Sequence, residues 1–167
     1  TPNSTTINAK TTVKANFTKE ANTYKITLDN KSATTAGTTL IYEKYNTGIY
    51  LDSVLANAMT TSANPITKPT RSYTVSFNAN NTGITMPSAI TKSYSYSGHY
   101  TDAASGTQMI NENGYITSSF TKTSYTANAT LYAHWKAKPS VTIPSISKTG
   151  YTCSWNTSAD GKGTTYN

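Results

Sequence analysis

The chain has one cysteine, one arginine, two histidines and no long apolar run, and only 13% of its 167 residues are charged. Each shortage removes a class of protein. A single thiol, Cys153, excludes an internal disulfide framework and a cysteine-rich zinc site. No stretch approaches the roughly 18 to 20 apolar residues of a membrane span, so no membrane insertion is expected within the chain. The opening TPNSTT lacks the charged start and apolar middle of a signal peptide. Fourteen basic residues against seven acidic ones give a net charge of +7. The lysines are spread singly, however, and arginine, the main reader of base edges, occurs only at Arg71, so nucleic-acid recognition is not expected. The positive excess is a solubility term that also favours anionic surfaces.

What remains is uncharged polarity. Ser, Thr and Asn make up roughly two fifths of the chain, and 13 tyrosines accompany only 3 phenylalanines and 2 tryptophans. Threonine and tyrosine favour strands, and 35% hydrophobic content supports a thin core. Tyr24 to Leu28, Tyr73 to Phe77 and Leu131 to Trp135 alternate apolar and polar positions as half-buried strands do, and 39–42 and 48–51 are further β-rich pieces. Leu51, Val54, Leu55, Ala58 and Met59 fall at spacings of three and four, which predicts one short amphipathic helix over 51–59, started by Asp52 or Ser53 and stopped by 60–65. On that reading Leu55 is a core residue, whose truncation to alanine would cost about 2 to 4 kcal/mol. Asn113-Gly114 and Asp160-Gly161 mark hairpin turns, the first tight and the second within a longer polar loop. The expected fold is mainly β, of the α+β kind, with the helix covering one sheet face.

Self-similarity organises the chain. Thr12-Val13-Lys14-Ala15-Asn16-Phe17 and Thr130-Leu131-Tyr132-Ala133-His134-Trp135 share one pattern of Thr, aliphatic, variable, Ala, variable and aromatic. Met86-Pro87-Ser88-Ala89-Ile90 to Tyr94 lines up with Ile143-Pro144-Ser145-Ile146-Ser147 to Tyr151, and Ile66 to Tyr73 is a looser echo. Three units follow: residues 1–23 as the closing half of one repeat, 24–136 as a complete and expanded repeat, and 137–167 as the opening half of another.

These segments resemble the Listeria–Bacteroides repeat family, including the B-repeats of bacterial internalins. The resemblance is carried by the opening strand Tyr24 to Leu28, the aromatic run Ser93 to Thr101, the closing strand Ala129 to Lys136, and Gly150-Tyr151-Thr152-Cys153-Ser154-Trp155, which continues through Asp160-Gly161. The chain departs from the family pattern with His99 in place of Trp, Cys153 in place of Phe and no Gly before Trp155. Residues 29–72 are longer than a short repeat needs, which fits either an expanded unit or two overlapping ones. The resemblance implies a β-grasp-like roll, tandem repeat organisation, an extracellular, cell-surface setting in long bacterial proteins of Gram-positive type, and no enzymatic chemistry.

The residues themselves supply little for catalysis. His99 and His134 are the only imidazole bases, His134 is predicted to face away from Leu131 and Ala133, and neither Gly-x-Ser-x-Gly nor His-Glu-x-x-His occurs. The seven acids, Glu20, Asp29, Glu43, Asp52, Asp102, Glu112 and Asp160, are scattered and are read as turn and cap residues. No Asp-x-Asp-x-Asp cluster offers calcium its oxygens, and no cofactor or metal is expected. Cys153 is read as a small buried hydrophobe. The six Asn-x-Ser/Thr sequons occur about as often as chance gives in so Asn-, Ser- and Thr-rich a chain, so they carry no signal.

Two binding readings remain. Tyr94, Tyr96 and Tyr100, if exposed, could stack on host or cell-wall glycans. Alternatively Val13, Ala15 and Phe17 of one copy could complete the unit containing Tyr151 and Trp155 in other copies of the same repeat protein, by strand addition that propagates head to tail as a filament. The function expected is that of a non-enzymatic spacer or adhesion module.

Overall fold

The computed structural model describes residues 21–80 and 83–166, together with Lys10, Thr12 and Lys14. The chain enters β1 (Thr23–Asp29), where Thr and Lys alternate with Ile26 and Leu28, both buried. This is the period-2 pattern of a strand with one covered face. β2 (Leu40–Lys44) returns antiparallel with Ile41 and Glu43 on the same inner face, and β3 (Gly48–Tyr50) and β4 (Ala58–Met59) extend the sheet with Ile49 and Met59 inward. Among the described residues β5 (Ser72–Val75) and β6 (Ile90–Ser93) pair only with each other. β7 (Tyr96–Tyr100), β8 (Gln108–Ile110) and the single-turn helix α1 (Ser118–Thr121) follow, and β9 (Ala129–Trp135) comes back into the middle of the sheet. β10 (Trp155–Asn156) and β11 (Thr165–Tyr166) form a separate ladder.

The main sheet is mixed and curled, with strand order β4-β3-β2-β1-β9-β7-β8. Its central pair is parallel, with Leu28 opposite Leu131, and every other pair is antiparallel. Ile26, Leu28, Ile41, Ile49, Leu131, Met109 and Ile110 come together on the inner face, closed by Ile66, Ile116 and Phe120. Phe120 is fully buried on α1, whose first turn is capped by the Thr117 hydroxyl accepting from the Phe120 N–H at 3.3 Å. The expected strands at 24–28, 39–42, 48–51 and 131–135 are thus present with small shifts of boundary, and the fold is mainly β.

The helix is elsewhere. Residues 51–57 form the loop between β3 and β4, Val54 is 80% exposed, and Leu55 sits at φ 60° half-buried. The Asp52 carboxylate explains the difference: its two oxygens accept from the N–H groups of Ala56 at 3.0 Å and Asn57 at 2.8 Å, and Leu51 N–H reaches the Asn57 carbonyl at 3.0 Å. A short polar side chain has given the backbone a closed loop in place of a helical ladder. Met59 is buried as expected, but from a strand.

Both marked turns are hairpins. At the first, Gly114 takes φ 91°, its N–H reaches the Asn111 carbonyl at 3.0 Å, and Asn111 N–H returns to the Tyr115 carbonyl at 2.9 Å. Asn113 keeps negative φ, and the Asn111 side chain organises the turn by accepting from Asn113 and Tyr115 N–H. A Cβ at Gly114 would stand 2.9 Å from the Ile66 carbonyl oxygen, so glycine also lets the 60–70 segment pack over this hairpin.

Candidate functional site

The three tyrosines proposed for a sugar platform are placed in three environments. Tyr96 is buried, edge-on to Trp135 at 5.8 Å and to His99 at 5.6 Å, with its hydroxyl 2.5 Å from His99 Nδ1. It is not exposed. Tyr100 lies on the outer face, stacked on His134 at 4.1 Å with ring planes 13° apart, and opposite Tyr132 across the strands. Tyr94 belongs to the small hairpin, where its ring meets Tyr73 at 5.9 Å under the Arg71 guanidinium at 4.3 Å.

A bulge causes the split. Tyr96 pairs with Trp135 but Gly98 pairs with His134, so one extra residue enters β7 and reverses which side chains face inward. Gly98 takes φ 123° there, and a Cβ on it would sit 2.2 Å from the Ile110 carbonyl oxygen. His99 is thereby brought inside and fully buried, while Tyr100 is turned out. Burial lowers the His99 pKa from 6.5 to about 4, with the Asp29 charge opposing and His134 adding slightly. His99 Nε2 has no partner. Its ring packs edge-on against Tyr96 at 5.6 Å. His134 faces outward as expected, with Nε2 2.8 Å from the Asp102 carbonyl oxygen.

The carboxylates divide in the same way. Asp29, Asp52, Asp102 and Asp160 each accept backbone N–H groups in turns, and those hydrogen bonds hold Asp52 and Asp102 below the usual carboxylate range. Asp160 is lowered first by the Ser158 hydroxyl and then by Lys162 N–H. Glu43 differs, being a strand residue on the inner face with 2% exposure. Its parity with Ile41 was the available signal. Among the described residues no group of three or more His, Cys, Asp or Glu could hold a metal ion, and no helix is long and apolar enough to cross a membrane.

At the C-terminal unit, Trp155 packs on Phe77 at 4.8 Å and donates from Nε1 to the Pro144 carbonyl at 2.7 Å. Tyr151 is 69% exposed beneath Lys148, and Cys153 is half-buried rather than enclosed. A cleft of about 540 Å³ runs between the segments around Met86 and Ile146, with Trp155 and Tyr151 in its wall. The two echoing Pro-Ser segments therefore line one groove. Asn80, ahead of the first segment, donates to the Ala159 carbonyl, beyond the second, at 3.0 Å. Tyr73 also reaches this unit, its hydroxyl donating to the Pro139 carbonyl and its ring lying under Lys138 at 4.4 Å. Val13, Ala15 and Phe17 lie outside the described residues. Against known proteins, the chain matches no family model, no curated protein and no solved structure.

Proposed function

We propose that this chain is a non-enzymatic module of an extracellular, cell-surface protein: a β-rich spacer or adhesive repeat that joins other copies head to tail by strand complementation. The observation that carries the reading is the β10–β11 ladder, two residues per strand, with no third strand beside it among the described residues. In the main sheet the matching strand β7 is flanked by β9, with Ala133 opposite His99 and Trp135 opposite Tyr96. Residues 12–17 repeat the pattern of β9, so they are the natural donor for the missing place in another copy. An open ladder beside an exposed Tyr151 is a template for strand addition. The run β2-β1-β9-β7, two antiparallel arms around a parallel centre, supports a β-grasp-like roll as the repeat unit.

Light scattering over a concentration series tests this. The full chain should grow into open-ended assemblies, and replacing Val13 and Phe17 by Asp should leave monomers with an unchanged main sheet. A strictly monomeric full chain at high concentration refutes the complementation. A second reading, binding to host or cell-wall glycans, is favoured by the Tyr100–His134 stack beside Tyr132 on the outer face. Saturable glycan binding that is lost in Tyr100→Ala would move the function to that face.

A further inference from the structure

Between the β2–β3 hairpin and the segment leaving α1 lies a second cleft, of about 560 Å³. Its floor is apolar, with Ile49, Met59 and Phe120, and its rim is lined with hydroxyls, among them Thr60 and Thr123. Glu43 lines it too, the one acidic side chain among the buried members of the described residues. Its Oε2 accepts from Tyr125 N–H at 3.0 Å, and Oε1, which no donor among the described residues reaches, is not a fully enclosed atom. The single ion pair among the described residues is Lys31–Asp29, so Glu43 has no ion-pair partner among them.

A carboxylate largely withdrawn from water is costly to keep charged unless something pairs with it. A glutamine in the same place would fill the space without that cost. A charge kept at the wall of an open cleft is complementary to a ligand cation, and the surrounding hydroxyls and apolar floor are complementary to a small hydroxylated ring.

We propose that this cleft binds an amino sugar, its primary ammonium paired with Glu43, its hydroxyls met by the threonine rim and its less polar face laid on Met59. Lys122, exposed at the rim, adds a donor for the ring oxygens. The site is separate from the β10–β11 edge and from the Tyr100 face, so it stands or falls independently of the function proposed above.

The test is a titration of the full chain with glucosamine, N-acetylglucosamine and glucose, followed by backbone amide shifts at about pH 6, where a primary amine is charged. Glucosamine should bind saturably with shifts centred on Gly48, Ile49 and Ser124, and the two uncharged sugars on the order of tenfold more weakly, the loss expected for a charge-assisted contact. Glu43→Gln should weaken glucosamine by a similar factor and leave glucose unchanged. Should that variant fold poorly, the unmodified protein gives the same answer through pH. Burial raises the Glu43 carboxyl, with Tyr125 N–H opposing, so glucosamine binding should weaken on acidification before exposed carboxylates titrate. Equal binding of all three sugars, shifts confined to another face, or no saturable binding at roughly 10 mM glucosamine overturns the proposal.

Discussion

Acidification from about pH 7 to about pH 5 should weaken the fold through one side chain, His99, whose imidazole is buried and hydrogen-bonded at Nδ1 to the Tyr96 hydroxyl. If that hydroxyl donates, the ring proton sits on Nε2, which has no acceptor, so a second proton would put a charge where nothing solvates it. The unfolded chain takes up the proton near 6.5 and the folded one only near about 4. Between those values the unfolded state holds more protons, so stability is complete above 6.5 and falls as pH drops toward 4. Linkage puts the loss at about 2 kcal/mol between about pH 7 and about pH 5, and at about 3 kcal/mol once both states are protonated. Glu43 works against this, because its raised carboxyl pKa favours the folded state as pH falls. Tyr96 is raised by burial and does not titrate in this range. His99→Asn keeps an acceptor near the Tyr96 hydroxyl and removes the titration, so comparing the two proteins cancels Glu43. Urea unfolding at both pH values gives the four free energies. The gap between parent and variant should narrow by about 2 kcal/mol at the lower pH, and a change below about 0.5 kcal/mol would refute the reasoning.

Phe120→Ala should cost about 3 to 5 kcal/mol by urea unfolding, because the side chain is fully buried and its single-turn helix has little stability of its own. Gly98→Ala should cost at least about 2 kcal/mol, since the φ is unfavourable and the new Cβ meets a backbone oxygen, and Tyr100 should lose its stacked position in an NMR spectrum. Leu55→Gly should fall within about 1 kcal/mol of neutral, because relief at a positive φ offsets the half-buried side chain that is lost. A much larger cost would mean that 51–57 is not the loop described.

Strand alternation was the legible part. Tyr24 to Leu28 and Leu131 to Trp135 carry their inner and outer faces openly, and the closing strand lies next to the opening one. Alternation also misled, because it assumes unbroken parity: Tyr94, Tyr96 and Tyr100 are all even-numbered, and the bulge before Gly98 sends Tyr100 to the face opposite Tyr96. Nothing local announces that extra residue except the glycine. The loop at 51–57 was hidden for a related reason. Its apolar spacing suits a helix, but the Asp52 carboxylate reaching the Ala56 and Asn57 N–H groups is a local side-chain contact that apolar periodicity does not weigh. Glu43 could have been found from its place two residues after Ile41 in a strand, had parity been applied to charged residues as it was to apolar ones.

The parallel pairing of β1 with β9 bears on how the protein would respond to pulling. Thr23, at the start of β1, and Trp135, at the end of β9, lie at opposite ends of a ladder that registers Ile26 with Ala129 through Asp29 with Tyr132. Tension on those two ends slides the strands along each other in shear, so the cross-strand hydrogen bonds share the load and must yield together. The β10–β11 hairpin has the opposite geometry: Trp155 and Tyr166 face each other at one end, so tension there peels the ladder one pair at a time. Stretching in an optical trap should therefore show a low-force lengthening from the C-terminal unit well before the main sheet gives way. A single abrupt extension would show that the two parts yield as one. With that order of yielding, the chain would act as a stiff link in series with a soft one.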